Sequence, residues 1–575
     1  MGAVKSRIWS PHWTASREIE ISNGKLRGKR FNFLKGNVDA FLGIPYAKMN
    51  ELRFQKPVPA DSWKDVKDCT QFGARCPHDD LWIERFPSVA VKHEDCLRLN
   101  VFAPEWDPIK AGQPDGFAVL VWIHGGGFAV HSAAHYGDYG ICEALCLKDV
   151  IVVTIQYRLG FFGFSSGEGI PSNLGLWDQT MALTWIKENI HAFGGNPNNI
   201  TVFGQSAGGA SADCLSISPH SRDLFQKVVP MGGTACCSFA FNDKEHVSNV
   251  CLDYAIKLGY KLPEKVKENG DVVLYKTPFE FLRTLPANKL QIGIIGKRDA
   301  KVNQNGKLDL TPVYDGDFFP KPIDELRKEA PKKLIMTGIT EHEGLLFLGL
   351  KPPRTNIHDE IPKLLERELL HHGIKDIEYA KETMMKMYLH GHNIENKKDA
   401  IKIAVKIVSD VFINNGVWKY ADTMTKLGHT VYQYCFEYCN PNGFGLLGYV
   451  LPFKAATHGT ELPYIFKKGV ISYFNPNEDD LKVVEIMTTY FTNFAKYGNP
   501  NGNGNVPQIW KPLTPDDTLK YLCINLDKVR MCDNLNDGRS KQWATLYEKD
   551  SSNGITTYIV DDQIKKQENI ISGKL

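Results

Sequence analysis

Residues 199 to 212 read Asn199-Ile-Thr-Val-Phe-Gly-Gln-Ser-Ala-Gly-Gly-Ala-Ser-Ala212, and the fold is decided there. Ile200, Val202 and Phe203 form a short apolar run of the kind found in a buried strand, and small helix-compatible residues follow from Ala207. Ser206 therefore falls on a turn between strand and helix. Gly204 and Gly208 flank it at the two positions where strand and helix pass so close that any side chain would strike backbone. Such a turn lifts the Ser206 hydroxyl clear of the sheet. A hydroxyl alone is a weak nucleophile, so the turn predicts a base, an orienting acid and an oxyanion site elsewhere in the chain. The bare G-x-S-x-G pattern is also met as an ordinary Gly/Ser loop, and context separates the two readings.

That context begins upstream, where the apolar run 118 to 123 ends in His124-Gly125-Gly126-Gly127. A glycine loop at a strand end exposes unhindered backbone N–H groups, which an acyl transition state needs around its new oxyanion. Gly126, Gly127 and Ala207 are the candidate donors. In a sheet of this type the acid and the base ride on loops after later strands, in the order Ser, acid, His. The run 333 to 337 leads into Gly338-Ile-Thr-Glu-His-Glu-Gly344, which supplies Glu341 and Glu343. His458 follows the alternating strand 429 to 438 and stands beside Gly459 in Thr457-His-Gly-Thr-Glu-Leu-Pro-Tyr464, as a base on a loop should. In this chemistry His458 takes the Ser206 proton as the hydroxyl attacks an ester carbonyl, the acid holds the imidazole tautomer, and an acyl-enzyme forms that water then releases. The steps need no metal and no organic cofactor.

The chain strongly resembles the type-B carboxylesterase and cholinesterase family of α/β-hydrolases. The matches run from Phe41-Leu-Gly-Ile-Pro-Tyr-Ala47 through Glu94-Asp-Cys-Leu-Arg-Leu-Asn100, Gln156-Tyr-Arg-Leu-Gly160 and Phe193-Gly-Gly-Asn-Pro197 to Asn493-Phe-Ala-Lys-Tyr-Gly-Asn-Pro500. The resemblance implies an ester hydrolase with a Ser, Glu, His triad at the base of a deep gorge, and it selects Glu343 over Glu341. It also implies an acyl-pocket aromatic at Phe239 and a carboxylate at Asp410 that supports the base. It further implies a disulfide ending at Cys96, with Cys76 as partner and Cys69 as the alternative. A second disulfide usual in secreted relatives finds no matching pair around Gly259-Tyr260. Two departures stand out. Gly232 occupies the place of a small hydroxyl residue, and Gln205 replaces the Glu usual beside the nucleophile, which predicts neutral, fairly apolar esters as substrates. Trp82, within the loop from Cys76 to Cys96, is no confident match for a choline-binding aromatic. Acyl transfer to an alcohol or sugar through the same acyl-enzyme is the alternative activity. A non-catalytic adhesion or scaffold role is disfavoured, because the nucleophile is intact.

The rest of the sequence sets the frame. Its 575 residues contain no repeat or low-complexity linker, so one domain over 18 to 550 is expected, with extensions at 1 to 17 and 551 to 575. Hydrophobic content of 43% allows a sizeable core, and a net charge of +2 leaves no nucleic-acid footprint, so a small-molecule ester is the expected partner. The expected fold is α/β, a large mixed, mostly parallel sheet flanked by helices. Residues 18 to 60 and 96 to 104 should form an antiparallel edge. Parallel strands should follow at 118 to 123, 150 to 157, 199 to 203, 227 to 231 and 333 to 337. A helix over 176 to 192 carries Trp177, Met181 and Trp185 as a core-facing stripe, and helices over much of 356 to 424 and over 478 to 497 should pack around the gorge. The N-terminus lacks an apolar leader but has Gly2 and Ser6 at N-myristoylation spacing, with Lys5 and Arg7 nearby. A cytoplasmic protein with weak membrane association through that N-terminus is expected. Thirteen cysteines, an odd number without zinc-type spacing, are expected to be mostly buried thiols.

Overall fold

The computed structural model describes residues 11–48, 53–81, 90–261, 277–294, 308–350, 356–371, 374–469, 474–526 and 528–552. Twelve strands form the path of its main sheet: β1 (Thr14–Ile21), β2 (Gly24–Phe33), β3 (Gly36–Pro45), β4 (Arg98–Pro104), β5 (Phe117–Ile123), β6 (Val150–Ile155), β7 (Gly195–Gln205), β8 (Lys227–Met231), β9 (Leu334–Thr340), β10 (Thr430–Phe436), β11 (Tyr521–Ile524) and β12 (Arg530–Cys532). Their spatial order is β1-β2-β3-β4-β6-β5-β7-β8-β9-β10-β11-β12, with the short pair Lys67–Asp68 alongside β2. From β6 to β11 every pairing is parallel, and β1 to β4 and β12 add antiparallel margins. This is the expected mixed, mostly parallel sheet flanked by helices.

The burial pattern explains why the central strands read as unbroken apolar runs. Every residue of β5 and of β6 is buried, because helices cover both faces of a parallel sheet. One core lies on the face that carries helices Leu174–Asn189 and Ala207–Ile217; the other lies beneath Glu478–Tyr497. Helix Glu478–Tyr497 has the expected bounds, set by an Asn477 capping box at one end and left-handed Gly498 at the other. The region 356 to 424 forms the helices Ile357–His371, Ile377–Leu389, Lys397–Ser409 and Asn415–Lys426, with one π-helical turn at Asp410–Asn414.

One boundary and one buried face differ from expectation. Strand β1 starts at Thr14, four residues inside the expected N-terminal extension, because Thr14 pairs with Arg30 and Arg17 reaches Asp39 at 3.3 Å. In the helix Leu174–Asn189 only Trp185 of the predicted stripe is fully buried; Trp177 and Met181 lie half-buried against the core, and Lys56 Nζ sits 3.6 Å over the Trp177 ring. Gly2, Lys5, Ser6, Arg7 and Trp82 lie outside the described residues. Among the described residues no helix is long and apolar enough to cross a membrane.

Candidate active site

In a doubly covered parallel sheet the open ground lies beyond the carboxyl ends of the strands. Ile123, Gln205, Met231 and Thr340 end β5, β7, β8 and β9, and the glycine loop, Ser206, Gly232 and Glu343 leave the sheet at these points, while His458 follows β10. Ser206 follows β7 with φ 59° and ψ −126°, a conformation that costs a residue with a Cβ and persists only where the surroundings enforce it. The enforcement is visible. A Cβ on Gly204 would stand 2.4 Å from the Gly208 carbonyl oxygen, and one on Gly208 would stand 2.1 Å from that of Ile123. The Ser206 N–H donates to the Met231 carbonyl at 2.8 Å, which ties the turn to β8.

The acid and the base meet beside this turn. His458 Nδ1 lies 2.6 Å from Glu343 Oε2, and Glu343 Oε1 accepts the Thr340 N–H at 2.7 Å. Both side chains are buried. The Thr457 hydroxyl fastens their two loops, donating to the His342 carbonyl at 2.8 Å and accepting from Leu346 N–H at 2.9 Å. With Nδ1 facing a carboxylate, the imidazole proton belongs there and Nε2 is the acceptor. Gln205 Nε2 donates to that Nε2 at 3.1 Å. The base ring also packs on Phe347, centroids 4.9 Å apart, and Phe347 stacks on Phe412 at 5.7 Å. Glu341 is not brought to the histidine. Its carboxylate lies 3.6 Å from His342, and burial together with the charge of Glu437 raises its pKa.

The glycine loop is oriented by its carbonyls. His124 Nδ1 lies 2.8 Å from the Gly125 carbonyl oxygen, and the Gly126 carbonyl accepts from both Ala129 and Val130 N–H at 3.0 Å. A trans peptide points its N–H opposite to its C=O, so these bonds turn the Gly126 and Gly127 N–H groups the other way. The loop lies against the nucleophile turn, since a Cβ on Gly125 would stand 3.1 Å from Ser206 Cβ. Its far side is apolar: a Cβ on Gly127 would meet Ile294 Cδ1 at 2.9 Å and Leu308 Cδ1 at 3.1 Å. Phe239 is buried with its ring 6.5 Å from that of Phe128, the residue after the loop. Ala207 opens the helix after Ser206, with its N–H in the first turn.

Gly232, at φ 51°, lies at the centre of this group. A Cβ there would be 3.1 Å from Glu343 Oε1 and 3.5 Å from His458 Nδ1. Asp410 is placed otherwise than expected. Its carboxylate is bound by Arg539 at 2.6 Å, Tyr388 at 2.8 Å and Asn414 at 2.8 Å, which makes it the hub of a buried network with Trp543 behind it. The link toward the acid comes instead from its neighbour Ser409, whose hydroxyl accepts the Gly344 N–H at 2.8 Å. Cys76 and Cys96 are joined in a disulfide, and Cys69 is a buried thiol that burial pushes up to about 12.

Sequence reasoning missed Phe347, Ile294 and Leu308, which reach the site from segments with no motif of their own. It also passed over Glu461, three residues after His458 in the loop it had quoted, which is buried at 2% exposure with Oε2 lacking a hydrogen-bond partner. A carboxylate so near the base, followed by Leu-Pro, was the available signal. Among the described residues no cluster could hold a metal ion.

A serine on a strained strand-to-helix turn, with a Glu–His pair and a glycine loop at the same sheet edge, defines an α/β-hydrolase. The pattern of the carboxylesterase family matches residues 15–543, and the chain belongs to that family, an enzyme of the carboxylesterase class. It is 40% identical to Esterase cest-33 of Caenorhabditis elegans over 92% of this chain and 94% of that one. Liver carboxylesterase 1 of Oryctolagus cuniculus is 30% identical, covering 94% and 95%, and Cholinesterase of Mus musculus is 29% identical, covering 92% and 87%.

Proposed function

We propose that the protein hydrolyses neutral, fairly apolar small-molecule esters through an acyl-enzyme on Ser206, with His458 as base, Glu343 as orienting acid, and the N–H groups of Gly126, Gly127 and Ala207 as oxyanion donors. The observation that carries the reading is the 2.6 Å Glu343–His458 contact beside the Ser206 turn. For turnover the Gln205 amide yields Nε2 to the Ser206 hydroxyl. The imidazole then takes the hydroxyl proton and returns it to the leaving alcohol. In the second half the same nitrogen takes a proton from water, which attacks the acyl carbon and frees the acid.

The apolar preference rests on the walls. Ile294, Leu308, Phe239, Phe347 and Phe412 are apolar, and the side chain on Nε2 of the base is an uncharged amide. A cationic alcohol group finds no carboxylate among these side chains, and any attraction to the aromatic faces must offset the hydration it loses on entering. The test compares kcat/KM for 3,3-dimethylbutyl acetate and its isosteric choline ester. Preference for the neutral ester is expected, and preference for the cation would overturn the substrate reading. Running the assay with added alcohol shows whether the acyl group goes to water, as proposed, or to the alcohol.

A further inference from the structure

The chain just beyond the glycine loop carries a backbone outlier that the proposed chemistry leaves unused. His131 sits at φ 86°, in the left-handed region that glycine enters freely and a residue with a Cβ avoids. A side chain kept there is held by its surroundings, and strain of this kind gathers where it serves a site. The site is adjacent: a Cβ on Gly126 would stand 3.0 Å from His131 Cβ.

Three buried imidazoles meet at this point. The His131 ring lies face to face with that of His135, centroids 4.3 Å apart and planes 12° from parallel, and the His124 ring lies 5.7 Å away at 71°. His135 belongs to the tight turn Ala133–Tyr136, where the Ser132 hydroxyl lies 2.8 Å from its Nδ1 and the Ala133 N–H donates to Gln156 Oε1 at 2.9 Å. One end of the stack is thus tied to the residue that follows β6. At the other end Tyr157 stacks on the His124 ring at 4.5 Å, and its hydroxyl donates to the His124 carbonyl at 2.7 Å. His124 Nδ1 faces the Gly125 carbonyl oxygen at 2.8 Å; a carbonyl only accepts, so Nδ1 carries the proton. The carbonyl of Gly125 and the N–H of Gly126 belong to one planar peptide. Whatever fixes the His124 ring therefore fixes the direction of a candidate oxyanion donor.

We propose that His131 is a positioning residue of the oxyanion loop: with His135 stacked on it, its imidazole holds the His124 ring against the Gly125 carbonyl and so fixes the Gly126 N–H. The inference rests on the reading of Ser206 as nucleophile with Gly126 and Gly127 as oxyanion donors, and it deepens that reading. Removing an oxyanion donor outright costs about 10² to 10³ in kcat, and loosening one should cost about tenfold. The donors are used far more by the developing oxyanion than by the bound ester, so the loss falls on kcat and leaves KM in place.

The experiment compares wild type with His131→Gly, His131→Asn, His135→Ala and His135→Phe. Steady-state kinetics on an aryl butyrate are taken per site titrated with paraoxon, and inhibition is measured with a trifluoromethyl alkyl ketone and with the methyl ketone of the same chain. Ser206 adds to the trifluoromethyl ketone, its proton passing to His458, and the new oxyanion calls on the loop; the methyl ketone binds without that step. Glycine and asparagine both accept a positive φ, so the two His131 variants remove the ring without adding backbone strain. Each should lower kcat about tenfold at a KM within twofold of wild type, and should weaken the trifluoromethyl ketone about tenfold relative to the methyl ketone. His135→Ala should act in the same direction, and His135→Phe, which keeps a ring against His131, should recover most of that loss. A kcat within twofold of wild type in both His131 variants, a loss carried by KM alone, or a His135→Phe no better than His135→Ala overturns the inference while the hydrolytic reading stands. Failure of all four variants to fold also overturns it, since the rings then serve the core alone. Absence of Ser206-dependent turnover in wild type overturns the hydrolytic reading and the inference with it.

Discussion

Gln205→Glu isolates the consequence of an uncharged side chain against the base. Gln205 Nε2 lies 3.1 Å from His458 Nε2, and Gln205 is 6% exposed. A carboxylate at that distance from an imidazolium is worth about 1 kcal/mol at the dielectric of water and about 5 kcal/mol at an effective dielectric of ~20. At ~1.4 kcal/mol per tenfold change, the acid limb of kcat/KM should move up by at least about one pH unit. Turnover of a neutral ester at pH 6 should fall about tenfold and recover above pH 8, while the choline ester gains on its neutral isostere at every pH. Gln205→Met has similar length but neither charge nor N–H, and it separates the charge from the hydrogen bond: its acid limb should stay within about 0.3 units of wild type. The assay is a pH series with both esters on all three proteins. An acid limb that stays put in Gln205→Glu, or a choline-to-neutral ratio unchanged by it, would refute the reasoning.

Glu343→Gln should lower kcat by about 10⁴, as removal of an orienting carboxylate does in comparable triads, whereas Glu341→Gln should change kcat/KM less than about threefold; steady-state kinetics on both checks the assignment. Asp410→Asn leaves the buried Arg539 with only the exposed Asp537 as an ionic partner, so denaturant unfolding should show a loss of up to about 3 kcal/mol, with the pH profile of the remaining activity unmoved. Stability should also respond to Glu461. A carboxyl whose pKa is raised to about 8 in the fold carries no penalty below its unfolded value, a growing one between there and 8, and a constant one above. Glu461→Gln should therefore unfold at higher urea than wild type at pH 8, by about 3 to 5 kcal/mol, and show no gain at pH 4. Gly2→Ala should shift any membrane-bound fraction to the supernatant; mass spectrometry that finds no acyl group on Gly2 in wild type dismisses the anchor.

Much of this site could be read from the sequence because its parts obey backbone rules. Gly204 and Gly208 are glycines because carbonyls stand 2.1 to 2.4 Å from where their Cβ atoms would be, and that constraint is local to the G-x-S-x-G turn. The central strands were legible for a similar reason, since burial on both faces leaves an unbroken apolar run. Strand β1 was less so. Thr14-Ala-Ser-Arg-Glu-Ile-Glu-Ile21 has only Ile19, Ile21 and the small Ser16 buried, and its start is fixed by pairing with Arg30. Asp410 shows the limit of a matched position. Nothing near it in sequence announces Arg539, 129 residues on, and only the tertiary packing shows the carboxylate turned to that guanidinium. Glu461, Ile294 and Leu308 likewise acquire meaning only from what the fold sets beside them.

The central claim is covalent chemistry at Ser206, and a rapid-quench experiment tests it most directly. The protein is mixed with excess aryl butyrate, quenched in acid within the first turnovers, digested and analysed by mass spectrometry, while phenol release is followed in parallel. The account predicts a phenol burst approaching one equivalent per chain and a butyryl group on the peptide carrying Ser206, with burst and adduct both absent in Ser206→Ala. Full esterase turnover in Ser206→Ala, or a butyryl group on another residue in wild type, would contradict it.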